Sequence, residues 1–194
     1  MLRHGGSQPR NDKGASHFAW RGKNAEAYLI EEIVMTIDSN DFIADGAKVL
    51  GNVTIKEGSS VWYNTIIRGD MEPVTIGKNT NIQDLVMVHV DSSHPTVIGD
   101  GVTVGHSAIL HGCTIEDDVI IGMGAIVLNG AVIRKNSIVG AGALITQNKT
   151  FPEGSLILGS PAKAVRQLTA GEFDKIRHNA EEYLVLAKKL GAGR

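Results

Sequence analysis

The segment IEDDVIIGMGAIVLNGAVIRKNSIVGAGALI, residues 115–145, decides the fold of this chain of 194 residues. Within it an aliphatic residue stands at every sixth position, and the same spacing extends back towards residue 43 with short interruptions. The aliphatic positions are Ile43, Val49, Ile55, Val61, Ile67, Ile76, Ile82, Val88, Ile98, Val104, Leu110, Ile115, Ile121, Val127, Ile133, Val139 and Ile145. A period of six fits neither a helix, which repeats every 3.6 residues, nor the alternation of one long strand.

This repeat is typical of very short strands that turn a corner every six residues. Gly, Asp and Asn are frequent between the aliphatic positions, where a tight bend can require a positive φ. Three strands close one triangular coil, so the repeat predicts nearly six coils stacked as a parallel β-helix. One coil cannot bury its own interior, and the stack therefore folds cooperatively. We predict an all-β domain over residues 26–168.

The two ends of the chain lack the repeat. Residues 1–25 are basic and rich in Gly, Ser and Asn, which predicts a disordered or extended N-terminal arm. Residues 169–194 are predicted to form a C-terminal α-helix that packs on the outside of the β-helix, with a capping box formed by Thr169 and Glu172. The apolar face of this helix is predicted to comprise Phe173, Ile176, Ala180, Tyr183, Ala187 and Leu190.

Composition restricts the class of function. The net charge of −2 offers no basic surface for nucleic acid. No apolar stretch approaches the length needed to span a bilayer, so we expect no membrane association. The single cysteine, Cys113, excludes an intramolecular disulfide and predicts a reducing compartment, so we expect a cytoplasmic protein. Cys113 itself is interpreted as a small buried residue.

Two histidines are placed by the repeat on one face of the predicted coil. His89 follows Val88 and His111 follows Leu110, and these two aliphatic residues are three units, or one full coil, apart. The two imidazoles should therefore stack on adjacent strands, about 4.8 Å apart. That separation suits two ligands of one metal ion with bonds of about 2.0–2.1 Å. Arg68 occupies the same column one coil earlier.

His106 falls on the adjacent face of the triangular coil. Asp84 has the matching position one coil below it, with Gln83 alongside. Diverging faces of one subunit do not meet at one ion, but His106 can complete a site on a neighbouring subunit. Three-fold closure repeats this contact, which predicts a homotrimer with three metal sites between subunits. The alternative is that these histidines are surface or interface residues that bind no metal.

The ordered set of motifs around these residues is similar to that of the γ-class carbonic anhydrase family, whose members are hexapeptide-repeat, left-handed β-helix proteins. The matching stretches are residues 67–70 (IRGD), 81–84 (NIQD), 88–89 (VH), 104–106 (VGH) and 110–113 (LHGC). The resemblance covers roughly residues 40–165 and implies a left-handed coil. It implies that His89, His106 and His111 bind Zn²⁺, or else Fe²⁺ or Co²⁺, between subunits of a trimer. It also implies an intersubunit ion pair between Arg68 and Asp70.

The resemblance further implies a reaction. Three neutral imidazoles leave one coordination position open, and the metal lowers the pKa of a bound water to about 7. The resulting hydroxide would attack carbon dioxide to give bicarbonate, with Gln83 and Asp84 in the active site and Gln83 orienting the hydroxide. Arg68 would hold the interface or bind bicarbonate. The best-known active members carry a glutamate immediately after the aspartate of the Arg-x-Asp motif, where this chain has Met71. They also carry a longer acidic loop with a proton-shuttle glutamate, whereas the short insertion after Val88 has Asp91 as its only acid.

Three other functions are consistent with this sequence. A metal-dependent acyl-CoA thioesterase would use a similar site on a thioester carbonyl. A non-catalytic assembly trimer would retain the metal without fast turnover, which the absence of the usual proton-shuttle glutamates favours. A hexapeptide acyltransferase shares the β-helix, but it needs one catalytic base and not a stacked pair of histidines with a third ligand.

Overall fold

The computed structural model describes residues 35–37 and 41–191. The predicted N-terminal arm, and residues 192–194 of the predicted helix, lie outside the described residues. The strands are β1 Met35–Ile37, β2 Phe42–Ile43, β3 Lys48–Ile55, β4 Ser60–Val61, β5 Ile66–Ile76, β6 Asn81–Ile82, β7 Met87–His89, β8 Thr96–Ile98, β9 Thr103–Val104, β10 Ile109–His111, β11 Thr114–Ile115, β12 Ile120–Ile121, β13 Ile126–Val127, β14 Val132–Ile133, β15 Ile138–Val139, β16 Leu144–Ile145, β17 Thr150–Phe151, β18 Ser155–Gly159 and β19 Ala162–Gln167, and the helix is α1 Ala170–Gly191. This order of short strands followed by one helix confirms the predicted β-helix with its C-terminal helix.

The strands stack into three faces. The helix face consists of β2, β4, β6, β9, β12, β15 and β18, all mutually parallel. The histidine face consists of the first halves of β3 and β5 followed by β7, β10, β13 and β16. The third face contains the second halves of β3 and β5 followed by β8, β11, β14 and β17. The long strands β3 and β5 turn the corner between the last two faces.

The aliphatic residues of the repeat fill the interior. Val88 pairs with Leu110, and Leu110 pairs with Val127, so successive coils stack without a shift in register. Each face contributes one inward side chain of the repeat to a coil, and from Ile55 onward these side chains are almost completely buried, whereas Ile43 and Val49 in the first coil are partly buried. Burying one such side chain stabilises the fold by about 1.5–3 kcal/mol. The core is therefore continuous along the stack.

The corners of the coil depend on residues that tolerate a positive φ. Asn64 has a φ of 56°, and its side-chain oxygen occupies the space where a Cβ on Gly46 would lie, at 2.3 Å. A larger residue at position 46 would therefore clash with the Asn64 side chain. Both residues also have a positive φ, which Asn and Gly tolerate better than other residues. Asn79, Asn136 and Asn148 occupy equivalent bends with φ values of 52–59°.

The parallel stacking continues beyond Ile145, the last aliphatic position of the repeat, and ends within the predicted range of residues 26–168. Phe151 in β17 and Ile157 in β18 continue the inward positions beyond Ile145, so seven parallel strands form the helix face. The sixth-residue pattern stays intact there, but an aromatic residue replaces the aliphatic one at Phe151. The chain then turns back as β19, which pairs antiparallel with β18 and ends the parallel stacking.

Helix α1 runs along the helix face and packs against β2, β4, β6 and β9. Ile176, Ala180 and Ala187 are buried as predicted, and the Tyr183 ring lies edge-on to that of Trp62 at 5.3 Å. Leu190 does not belong to the buried face, since 38% of its surface is exposed near the end of the helix. Among the described residues, no helix is both long enough and apolar enough to cross a membrane.

At the start of α1, half of the predicted capping box is present. The Glu172 carboxylate accepts a hydrogen bond from the backbone N–H of Thr169 at 2.8 Å. Arg166 also donates two hydrogen bonds to the same carboxylate, each of 2.8 Å. The contact with Arg166 and the hydrogen bonds from Thr169 lower the pKa of Glu172 to about 2. This helix start is thereby tied to β19.

We expect Ile133→Ala to destabilise the fold by about 2–5 kcal/mol, because Ile133 is fully buried between paired coils. Val132→Ala is the matched control, since Val132 is half-buried and points outward from the same strand. It should cost about 1 kcal/mol or less. Urea unfolding of both variants and the wild type, at one protein concentration, measures these changes in the free energy of unfolding. Equal losses at the two positions would contradict the assignment of inward and outward residues.

Candidate functional site

His89 and His111 lie side by side at the ends of β7 and β10. The two residues are direct partners in the parallel register, as the repeat predicts. Their ring centroids are 5.0 Å apart, and Nδ1 of His89 lies 3.1 Å from Nε2 of His111. Both side chains are partly buried at the outer edge of the histidine face. The predicted pair of stacked imidazoles is therefore present within one subunit.

The remaining nitrogen of each imidazole has an acceptor. Nε2 of His89 donates to the Asp70 carboxylate at 2.9 Å, and Nδ1 of His111 donates to the side-chain oxygen of Asn129 at 2.7 Å. In neutral rings, these two bonds place both protons on the outer nitrogens. The two inner nitrogens then face each other with lone pairs only. Two lone pairs at this distance repel each other, and a cation that accepts both of them would stabilise the pair.

Asp70 connects the histidine pair to Arg68. The Arg68 guanidinium contacts one carboxylate oxygen of Asp70, while His89 bonds the other. Burial acts to raise the pKa of Asp70, but the bonds from His89 and Arg68 together hold this pKa below its ordinary value. The carboxylate is therefore ionised at neutral pH. The ion pair lies within one subunit here, and its predicted intersubunit form stays a prediction.

His106 lies at the corner between β9 of the helix face and β10 of the histidine face, in a separate group from the stacked pair. Its Nδ1 is 2.8 Å from the Asp84 carboxylate, which confirms that these two residues share one column. Among the described residues of this single chain, no three His, Cys, Asp or Glu side chains converge as a metal site. The structure thus brings His89 and His111 together, and His106 with Asp84, as two separate groups.

Gln83 is held by a chain of hydrogen bonds that the sequence did not reveal. Its Oε1 accepts from the backbone N–H of His106 at 3.2 Å, and its Nε2 donates to Asn81 at 3.1 Å. Asn81 donates to the hydroxyl of Thr103, which in turn donates to Asn179 of α1, both at 2.9 Å. Only 5% of Gln83 is exposed. The helix therefore helps to fix the orientation of this amide.

The bend beside Asp84 is strained. Leu85 has a φ of 61° and is 61% exposed, although a bulky residue rarely adopts a positive φ. Ser107 repeats this conformation one coil above, with a φ of 60°. Backbone strain of this kind is concentrated at functional sites in proteins. The corner that carries Asp84 and His106 therefore differs from the Asn-containing bends elsewhere in the stack, because residues that disfavour a positive φ adopt one there.

Cys113 is not part of the site. Its side chain is 1% exposed, and burial raises the pKa of its thiol to about 12. The thiol is therefore protonated at neutral pH and is a poor nucleophile or metal ligand. The interpretation of Cys113 as a small buried residue is confirmed. His178, on the helix surface, lies 3.3 Å from Glu182 and takes no part either.

Asn129 contacts the His111 ring, although the repeat does not predict it as a site residue. It follows Leu128, and β13 is the next strand above β10 on the histidine face. Extending the column of His89 and His111 by one more coil would have brought this region into consideration. However, the register of the strands places Leu128, not Asn129, in this column. The repeat is also one residue shorter between Leu110 and Ile115, so the spacing does not predict which residue contacts the His111 ring.

The chain is similar to known hexapeptide-repeat proteins. Residues 95–129 and 112–147 match the family model "Bacterial transferase hexapeptide (six repeats)". A solved structure of a hexapeptide transferase family protein from Anaplasma phagocytophilum has a TM-score of 0.77 and 41% sequence identity. That similarity covers 80% of this chain and 92% of the other. The chain is thus similar to hexapeptide-repeat proteins over most of its length.

Two relatives narrow this class. A protein of Methanocaldococcus jannaschii named "Probable carbonic anhydrase" is 53% identical over 79% of this chain and 97% of its own length. "Gamma carbonic anhydrase 2, mitochondrial" of Arabidopsis thaliana is 46% identical over 78% of this chain. This chain spans only 57% of the length of that plant protein. The chain belongs to the γ-class carbonic anhydrase family.

Proposed function

We propose that this chain is a carbonic anhydrase that interconverts carbon dioxide and bicarbonate at metal sites between the subunits of a homotrimer. The observation that carries the proposal is the 3.1 Å approach of Nδ1 of His89 to Nε2 of His111, with both outer ring nitrogens donating to acceptors. Membership of the γ-class carbonic anhydrase family supports the reaction class. We propose Zn²⁺ as the metal, with Fe²⁺ or Co²⁺ as alternatives.

The donor set fits such a metal. Two nitrogens bound to one tetrahedral ion with bonds of about 2.0–2.1 Å lie about 3.3 Å apart, close to the observed separation of the inner nitrogens. Metal-bound histidines usually donate their other N–H to a carboxylate or carbonyl oxygen, as His89 and His111 do to Asp70 and Asn129. Imidazole ligands suit zinc, iron and cobalt alike.

His106 of a neighbouring subunit is the proposed third ligand. His106 lies at the corner that leads from the helix face to the histidine face, whereas His89 and His111 lie at the far edge of the histidine face. The two halves of the site are therefore on opposite edges of one surface. A neighbour that contacts this surface can bring its own His106 to the stacked pair. Such a contact is heterologous, and three copies close the ring.

The outer surface of the histidine face supports this contact. Its outward positions are aliphatic on successive strands, whereas those of the third face are mostly threonine and valine. The outward aliphatic residues are Ile66, Met87, Ile109, Ile126 and Leu144. Met123, in the coil above His106, is also 60% exposed. Of the outward aliphatic residues, Ile109 is exposed and the other four are half-buried in the single chain. This apolar strip, flanked by the two half-sites, is the surface that a second copy would bury.

The side chains around the histidines have distinct proposed roles. A bound metal lowers the pKa of a coordinated water to about 7 and so supplies hydroxide at neutral pH. Gln83 is buried beside the half-site of His106, with its Oε1 and one Nε2–H already bonded to His106 and Asn81. Its second Nε2–H is the proposed donor that orients the reacting oxygen. Arg68 is held by Asp70 at the other half-site, where it joins the subunits or attracts bicarbonate. Asp84 orients His106.

Stopped-flow measurement of carbon dioxide hydration, with the metal content determined on the same sample, tests the proposal. The protein should be prepared anaerobically, because Fe²⁺ is among the candidate metals. We expect about one metal per subunit and hydration that a chelator abolishes. A metal-loaded protein that fails to hydrate carbon dioxide at any buffer concentration would rule out the carbonic anhydrase and leave the thioesterase or the non-catalytic assembly trimer.

A second candidate is acyl transfer, which the similarity to a hexapeptide transferase family protein favours. Transfer from an acyl-CoA that survives removal of the metal would identify an acyltransferase. Cleavage of acyl-CoA that is lost with the metal would identify the thioesterase instead.

The cytoplasmic location expected from the single cysteine remains a prediction, and subcellular fractionation tests it.

A further inference from the structure

Two hydrogen bonds extend from His111 into the inserted loop of residues 91–95. The His111 ring donates to Asn129 Oδ1 at 2.7 Å, and the Nδ2 group of Asn129 donates to Oδ2 of Asp91. Asp91 is the only acid in this insertion. The loop that interrupts the repeat is therefore linked through one amide to one of the stacked histidines.

The direction of these bonds determines the tautomer of His111. A carboxylate only accepts hydrogen bonds, so Asp91 requires Asn129 to present its NH₂ group. The Asn129 oxygen then faces His111 and accepts only from a protonated Nδ1. In the neutral ring Nε2 is left with a lone pair, and this is the nitrogen that faces His89 at 3.1 Å. The carboxylate thus acts on the imidazole through the amide.

The Asp91 carboxylate is itself firmly held. Its Oδ1 accepts from the backbone N–H of Ser93 at 2.8 Å and lies 3.0 Å from Nδ1 of His94. The loop also packs closely against the bend between β10 and β11, since a Cβ on Gly112 would come within 2.7 Å of the His94 Cβ. Gly112 also has a φ of 56°. An acid with this many fixed contacts is suited to orienting a neighbour.

We propose that Asp91 and Asn129 are positioning residues that hold His111 in the tautomer required for metal binding. The inserted loop then serves to orient a ligand, and Asp91 is not a mobile proton carrier. This inference rests on the proposed metal site, and it assigns residues that lie outside the His, Arg, Gln and Asp residues predicted from the sequence. Partners of this kind typically contribute about 10–100-fold to metal affinity.

Exchanging the two side chains provides the test. Asn129→Asp leaves an acceptor for His111 but places two carboxylates against each other, so Co²⁺ affinity should fall about 10–100-fold. Adding Asp91→Asn to that variant restores a donor–acceptor pair with the roles reversed, and the affinity should recover. Asp91→Asn alone keeps an acceptor oxygen and should have only a small effect. Competition with a chelator and the visible spectrum of the cobalt protein report the changes.

Asp100→Asn is the matched control, because Asp100 also accepts a backbone hydrogen bond at a bend, from Lys78, but has no link to the histidines. Equal affinities for wild type and Asn129→Asp would overturn the inference, as would failure of the double variant to recover while its thermal stability is normal. A wild-type protein that binds no Co²⁺ would instead defeat the proposed metal site, and this inference with it.

A readout without metal completes the test. Nitrogen-15 chemical shifts of the His111 ring in metal-free protein should show a protonated Nδ1 and a bare Nε2 in the neutral form. Asn129→Leu, which offers no acceptor, should shift the ring towards the other tautomer. A wild-type ring protonated at Nε2 would contradict the proposed role of Asn129, whatever the metal affinity.

Discussion

Mixing two inactive variants, His106→Ala and His111→Ala, should restore about a quarter of the wild-type hydration activity. If each site uses His106 of one subunit and the stacked pair of the next, a mixed trimer contains some interfaces with all three histidines. In a random mixture of equal amounts, about one interface in four combines the two variants in the required order. The subunits should be mixed by joint unfolding and refolding, and hydration measured with the metal present.

The control mixture combines His89→Ala with His111→Ala. Both variants lack part of the same half-site, so no interface can contain an intact set and no activity should return. Recovery in this control would show that the stacked pair does not act within one subunit. Full activity of His106→Ala on its own would exclude the shared site, since this variant removes the proposed third ligand while leaving His89 and His111 in place.

Much of this architecture could be predicted because the period of six fixes both the path of the chain and the direction of each side chain. The distance between His89 and His111 along the repeat predicts that they are neighbours on adjacent coils, and the parallel register confirms it. The column of Asp84 and His106 follows from the same geometry and is also confirmed, by the 2.8 Å contact. Inward and outward positions are set by the strands themselves.

The contacts that orient the histidines could not be predicted in the same way. Asn129 and Asp91 meet at a corner where one repeat is shortened and another is lengthened, so the period no longer places them. The link from Gln83 to Asn179 joins the stack to a helix about a hundred residues later in the chain. Nothing in a local pattern determines where that helix lies on the stack. Helical spacing alone places Leu190 on the buried face, but this residue is exposed near the end of the helix.

Met71→Glu should raise the turnover of carbon dioxide hydration about tenfold in weak buffer, because the proposed reaction releases a proton that this chain has few means to carry away. Met71 is 57% exposed and follows Asp70, where the best-known active members of the family carry a glutamate. The Asp91 carboxylate is held by hydrogen bonds to Ser93, His94 and Asn129, and it is therefore not free to carry the proton away. A carboxylate at position 71 would provide an exposed proton acceptor near the stacked histidines.

Imidazole buffer provides the decisive comparison, since a small diffusible base can accept the same proton. Raising its concentration should increase wild-type turnover several-fold and remove the advantage of Met71→Glu, while kcat/KM, which does not depend on proton release, stays nearly constant. Met71→Gln has almost the same shape without the ionisable group and should behave as wild type. Fast wild-type turnover in weak buffer would contradict this expectation. Glu72→Gln would then reveal whether the neighbouring acid carries the proton, since its loss alone should make turnover depend on buffer.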